Sequence, residues 1–168
     1  MKETVLCALA LSSMALVGCD GGEPEAPSQD MYVTWQIDGE TFTTPDDPLY
    51  HDYLYTDMVG GIAQFGGRLD DGQRIGISIA GLAEGTTASL TADGEESNVT
   101  VVWTEPETIT DFTSSQDVWG GTTGNWAVAE VTFWDDYIEG TFEGSLASTG
   151  EEGVLQEVTN GLFRVPVE

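Results

Sequence analysis

Apolar and polar residues alternate along most of this chain from Met31 onward, with no sustained helical period. Met31, Val33, Trp35 and Ile37 fall on one side of an extended segment, the period-two pattern of a strand with one buried face. Asp38-Gly39 then supplies a tight hairpin turn into a return segment at 40–43. A second hairpin is predicted where 62–69 and 73–80 flank Asp70-Asp71-Gly72, and its return strand sets Ile75, Ile77 and Ile79 on one face. In 98–104, Val99, Val101 and Trp103 share a side, so Trp103, like Trp35, is predicted to be core.

The C-terminal third repeats the theme. Trp126 to Trp134 leads through Asp135-Asp136 into Tyr137 to Ala147. There Ile138, Phe142 and Leu146 face one way, and Tyr137, Glu139, Thr141, Glu143 and Ser145 the other. Gly140 and Gly144 stand in the inner row, which a strand tolerates where a neighbour packs closely over it. In the last segment the apolar parity switches from even (Val154, Val158) to odd (Phe163, Val165, Val167) across Asn160-Gly161. A bulge there would restore a single buried face. The stretch from Asp46 to Met58 reads either as a short helix started by Pro48, carrying Leu49, Tyr53 and Leu54, or as a tyrosine-rich loop. Together these elements predict an all-β domain over 31–168, an antiparallel β-sandwich or small β-barrel of about eight strands.

The N-terminus has a different character. Lys2 precedes an apolar run from Thr4 to Val17 that is too short to span a bilayer, and small residues lead to Cys19. Leu16-Val17-Gly18-Cys19 resembles the lipobox of bacterial lipoproteins. The resemblance implies a signal peptide over 1–18, lipidation of Cys19, and attachment to a bacterial membrane on the periplasmic side or at the cell surface. Residues 19–30, rich in Gly, Pro, Glu and Ser, read as a flexible tether. Behind this leader come Trp35-Gln36-Ile37-Asp38-Gly39-Glu40-Thr41-Phe42, Gly140-Thr141-Phe142 and Val158-Thr159-Asn160-Gly161-Leu162-Phe163-Arg164-Val165. In that order they resemble uncharacterised β-rich bacterial lipoprotein domains of unknown function. That likeness brings no catalytic residue with it.

Charge narrows the partners. The chain has 30 acidic and 4 basic residues, a net charge of −26. Beyond Lys2 the only cations are Arg68, Arg74 and Arg164. Such a surface repels nucleic acid and anionic headgroups, so the membrane is expected as a partner only through the N-terminal lipid. The acidity suits a protein working in high salt, and equally a soluble acidic exoprotein. Cys7, the only other cysteine, lies within the expected signal, so the domain carries no internal disulfide and no paired-cysteine zinc site.

Little in the chain points to catalysis, and no enzymatic role is expected. His51 is the only histidine, and no Gly-x-Ser-x-Gly element accompanies it, so it reads as a surface residue with His51-Asp52 a bare nucleophile-activating pair. Carboxylate pairs recur at 46–47, 70–71, 135–136 and 151–152, and a hydrolase could be built from two of them. Those at 70–71 and 135–136 are already explained as turns. Asp46, Asp47 and Asp52 are the candidates for a structural calcium ion, because no hairpin turn accounts for them, although EF-hand spacing is absent. Trp119, between Val118 and Gly120-Gly121, is the candidate for stacking on a sugar, or else it folds down over the core. The expected role is therefore structural or interactive, with an envelope protein or a glycan as partner. The alternative is a carbohydrate- or calcium-binding module, and after it a hydrolase.

Overall fold

The computed structural model describes residues 30–57, 60–92, 98–105, 110–115, 124–151 and 153–167. The expected export segment with Cys19, the expected tether up to residue 29, and Trp119 lie outside the described residues. Eleven strands are present among them: β1 (Tyr32–Ile37), β2 (Glu40–Thr43), β3 (His51–Thr56), β4 (Ile62–Arg68), β5 (Arg74–Ala80), β6 (Ala88–Ala92), β7 (Val99–Glu105), β8 (Thr110–Thr113), β9 (Trp126–Trp134), β10 (Tyr137–Ser148) and β11 (Leu155–Pro166). The predicted strands all form, and β3, β6 and β8 are additional.

All pairings are antiparallel, and they follow the order β2-β1-β11-β10-β8-β7-β5-β4-β3. Strand β10 is the branch point. Its residues Ile138–Ser145 pair with β9, which carries β6, while Ala147 and Ser148 pair with β8. The result is a curled half-barrel whose two limbs face each other. Phe65 of β4 meets Phe163 of β11 at 4.5 Å between ring centroids, and Tyr55 of β3 meets Trp134 of β9 edge-on at 5.8 Å.

The inward rows build the core between the limbs. Val33, Trp35, Ile75, Ile77, Ile79, Val99, Val101, Ile138, Phe142 and Leu146 are all buried, as their alternation predicts. Trp103 is buried too, with its ring tilted on Phe112 at 5.0 Å. The β1–β2 turn is made by Asp38 and Gly39, at φ 53° and 80°, the left-handed pair that two-residue hairpins favour. Gly140 and Gly144 have the close neighbours their positions require. A Cβ on Gly140 would lie 1.8 Å from the Glu130 carbonyl oxygen and 2.7 Å from the Phe163 ring; one on Gly144 would lie 2.6 Å from the Trp126 carbonyl oxygen.

The bulge falls where the parity switches. Thr34 pairs with Leu162 but Gln36 with Thr159, and Phe142 pairs with Gly161 but Gly144 with Val158. One extra residue is thus absorbed, and Asn160 adopts φ 52° to do it. Val158 on one side and Phe163 and Val165 on the other all reach zero exposure. Val154 does not join this row: it precedes the strand and is exposed. Ser145 also departs from its expected outward setting, because both faces of β10 are buried from Ser145 to Ser148.

The segment from Asp46 to Met58 is neither of the predicted forms. Asp47 caps a single 3-10 turn, Pro48–Tyr50, by accepting from the Leu49 N–H at 2.9 Å, and the chain then becomes strand β3. Pro48 did mark a helical start, but His51, Tyr53 and Tyr55 turn inward at strand period while Asp52 and Leu54 stay outside. Pairing with β4 outweighs helix propagation from so short a nucleus.

Candidate functional site

A groove of about 680 Å³ lies on the outer face of β3, β4, β5, β7 and β8. Strand register dictates its shape, because laterally paired residues line up across the sheet. Asp52, Gly66, Gly76 and Val102 form the middle row, which is the floor. Leu54, Gln64, Ser78 and Thr100 make one wall. Arg74, Thr104 and Asp111 make the other, beside Arg68. With strands about 4.8 Å apart, the floor from β3 to β7 runs about 14 Å across them.

The two floor glycines differ in what holds them. A Cβ on Gly66 would stand 2.2 Å from the Ile75 carbonyl oxygen and 3.0 Å from the Gly76 Cα, so the sheet itself forbids a side chain there. A Cβ on Gly76 would meet nothing within 4 Å, and its backbone is not in the left-handed region. Packing places no demand on Gly76, yet glycine inside a strand forfeits about 0.5–1 kcal/mol. A bare strand position of this kind leaves room for a ligand or another backbone to approach the sheet closely.

The walls carry both senses of hydrogen bond. Thr104 Oγ1 donates to Asp111 Oδ1 at 2.7 Å, which orients that carboxylate. Arg68 is drawn away from the groove: its guanidinium donates to the Leu49 carbonyl oxygen and sits 5.9 Å from the Tyr50 ring centroid. Arg164 is also engaged, with Glu139 at 2.8 Å and the Tyr137 ring at 4.5 Å. The Arg74 guanidinium has no ion-pair or hydrogen-bond partner among the described residues, in a chain where acids outnumber bases 30 to 4.

The candidate metal ligands are put to other uses. Asp46 accepts from the main-chain N–H of Met31 at 3.1 Å and of Asp30 at 3.4 Å, Asp47 caps the 3-10 turn, and Asp52 lies on the groove floor. Among the described residues no group of three or more His, Cys, Asp or Glu side chains is placed to hold a metal ion. A second recess of about 580 Å³ lies by the turns of the β1–β2 and β4–β5 hairpins, with Asp38, Glu40, Asp71 and Glu105 around Phe42 and Trp103.

His51 is buried rather than at the surface, with 8% exposure. Its Nδ1 donates to the Asp47 carbonyl oxygen at 3.0 Å, since a carbonyl can only accept. Its Nε2 meets Thr44 Oγ1 at 2.8 Å, and that oxygen accepts from the Val33 N–H at 2.8 Å. Burial pushes the imidazole below its ordinary pKa, against the opposing pull of the Asp47 carbonyl and the carboxylates of Asp46, Asp52 and Asp47. The ring is thus a neutral structural link between β1 and β3. Ser114 does for Val101 what Thr44 does for Val33: its Oγ accepts the valine N–H at 2.9 Å and its own N–H donates to the valine carbonyl at 2.9 Å.

Gly76, Arg74, Gln64 and Thr100 were not singled out by sequence reasoning. The available signal was glycine inside the otherwise isoleucine-rich 75–79 run, which period-two alternation does not explain. No family model, curated protein or solved structure matches this chain.

Proposed function

We propose that this chain is a lipid-anchored bacterial envelope protein with an interaction role, attached through Cys19 and engaging its partner in the cross-strand groove. The anchoring half of the reading rests on Leu16-Val17-Gly18-Cys19 and the polar tract behind it. The interaction half rests on Gly76, a strand position kept bare over open space with no steric reason in the fold. Binding is favoured over catalysis because the only histidine is committed to hydrogen bonds that tie the limbs together.

A photo-activated benzophenone amino acid at Thr100, in the groove wall, tests this in intact cells. Its control is the same group at the exposed Glu157 on β11. Irradiation is expected to yield a covalent adduct from position 100 and none from 157. Equal labelling at both positions, or none at 100, would contradict the proposal.

A further inference from the structure

We infer that the groove takes a neutral, hydroxyl-rich oligosaccharide lying across the strands. This rests on the reading that the groove is the binding surface, and it adds the chemical class of the ligand. Five features point the same way.

The walls mix hydrogen-bonding types. Asp52 and Asp111 only accept, Arg74 only donates, Thr104 is left to accept because its proton is given to Asp111, and Gln64, Ser78 and Thr100 do both. A sugar hydroxyl both donates and accepts, so a row of them can be matched by such a set. The floor has the other half of the complement. Over Gly66 and Gly76 the sheet presents bare Cα atoms, with Leu54 and Val102 alongside. An apolar C–H face of a sugar ring can lie flat there while its equatorial hydroxyls reach the walls.

Direction weighs against a peptide. The floor strands spend their main-chain groups on one another, since β4, β5 and β7 are each paired on both sides. A polypeptide crossing them could not extend the sheet, the usual source of main-chain affinity. Charge weighs against a polyanion, which the field of a −26 chain repels. A neutral ligand meets no such penalty. At about 680 Å³ the groove also falls within the range of small-ligand sites.

Calorimetric titration of the full chain decides this, using cellohexaose, maltohexaose and chitohexaose as neutral probes. Hexagalacturonate serves as the anionic probe and Ser-Gly-Thr-Gly-Ser-Gly amide as the peptide, all at about 0.15 M salt. At least one neutral hexaose is expected to bind, with hexagalacturonate weaker and the peptide silent. Gly76→Val and Arg74→Ala are each expected to weaken that binding roughly tenfold or more, the valine variant melting no lower than the wild type. The inference is overturned if no neutral hexaose binds, if the peptide binds instead, or if Gly76→Val binds as the wild type does. A Thr100 adduct that proves to be a protein would sink the glycan while leaving the interaction reading intact. The absence of any adduct would sink both.

Discussion

His51 shows how one side chain can couple two strands to pH. The Val33 N–H donates to Thr44 Oγ1, Thr44 meets Nε2, and Nδ1–H donates to the Asp47 carbonyl, so the neutral ring satisfies every member of the chain. Burial lowers its pKa beneath the ordinary 6.5. Between that lowered value and 6.5 the unfolded chain binds the proton more readily than the folded one, so stability falls as pH falls. The contribution is complete above about pH 6.5 and is lost on acidification below it. Thermal melts between roughly pH 7.5 and 5.5 should therefore show a decline that His51→Gln removes; an unchanged slope in that variant would assign it to other groups. Gly66 and Gly76 make the complementary residue-scale contrast. Replacing Gly76 with Val fills open space in a strand, so stability should hold or rise by about 0.5–1 kcal/mol. Gly66→Ala collides with the Ile75 carbonyl and should lower the melting temperature clearly.

Strand β11 depends on a single extra residue. Without the bulge at Asn160, a shift of one position would turn Phe163 and Val165 from the core to solvent. Asn160→Gly should remain folded, since glycine accepts φ 52° freely, whereas Asn160→Val should cost about 1–2 kcal/mol from the left-handed backbone. Deleting the residue should abolish cooperative unfolding in urea. A deletion variant with a native midpoint would mean that register is set elsewhere. The bulge was legible in the sequence because apolar parity changed at Asn160-Gly161, the residues able to adopt left-handed backbone. The hairpins at Asp38-Gly39 and Asp70-Asp71-Gly72 were legible for the same reason. Strand β3 was obscured by the genuine helical start at Pro48 and by Leu54, which is 58% exposed and so broke the apolar alternation. Strands β6 and β8 have only 5 and 4 residues, and neither follows a two-residue turn of the Asp-Gly kind that announces the equally short β2. The groove was the least legible feature. It arises from lateral register among strands far apart in the chain, which places Asp52, Gly66, Gly76 and Val102 in one row.

At the scale of the molecule, an acidic β-domain is proposed to stand on a lipidated tether and present one face of a curled sheet. The charge of −26 offers no electrostatic grip on anionic headgroups, so attachment should rest on Cys19 alone. Cys19→Ser should lose incorporation of labelled palmitate and move to the soluble fraction; retention on membranes without label would contradict the anchoring reading. The bare floor at Gly76 carries the functional account, and the yield of the Thr100 photo-adduct in cells expressing Gly76→Val tests it most directly. The adduct is expected to disappear while the variant melts at or above the wild-type temperature. A folded Gly76→Val protein that still forms the adduct at wild-type yield would contradict it.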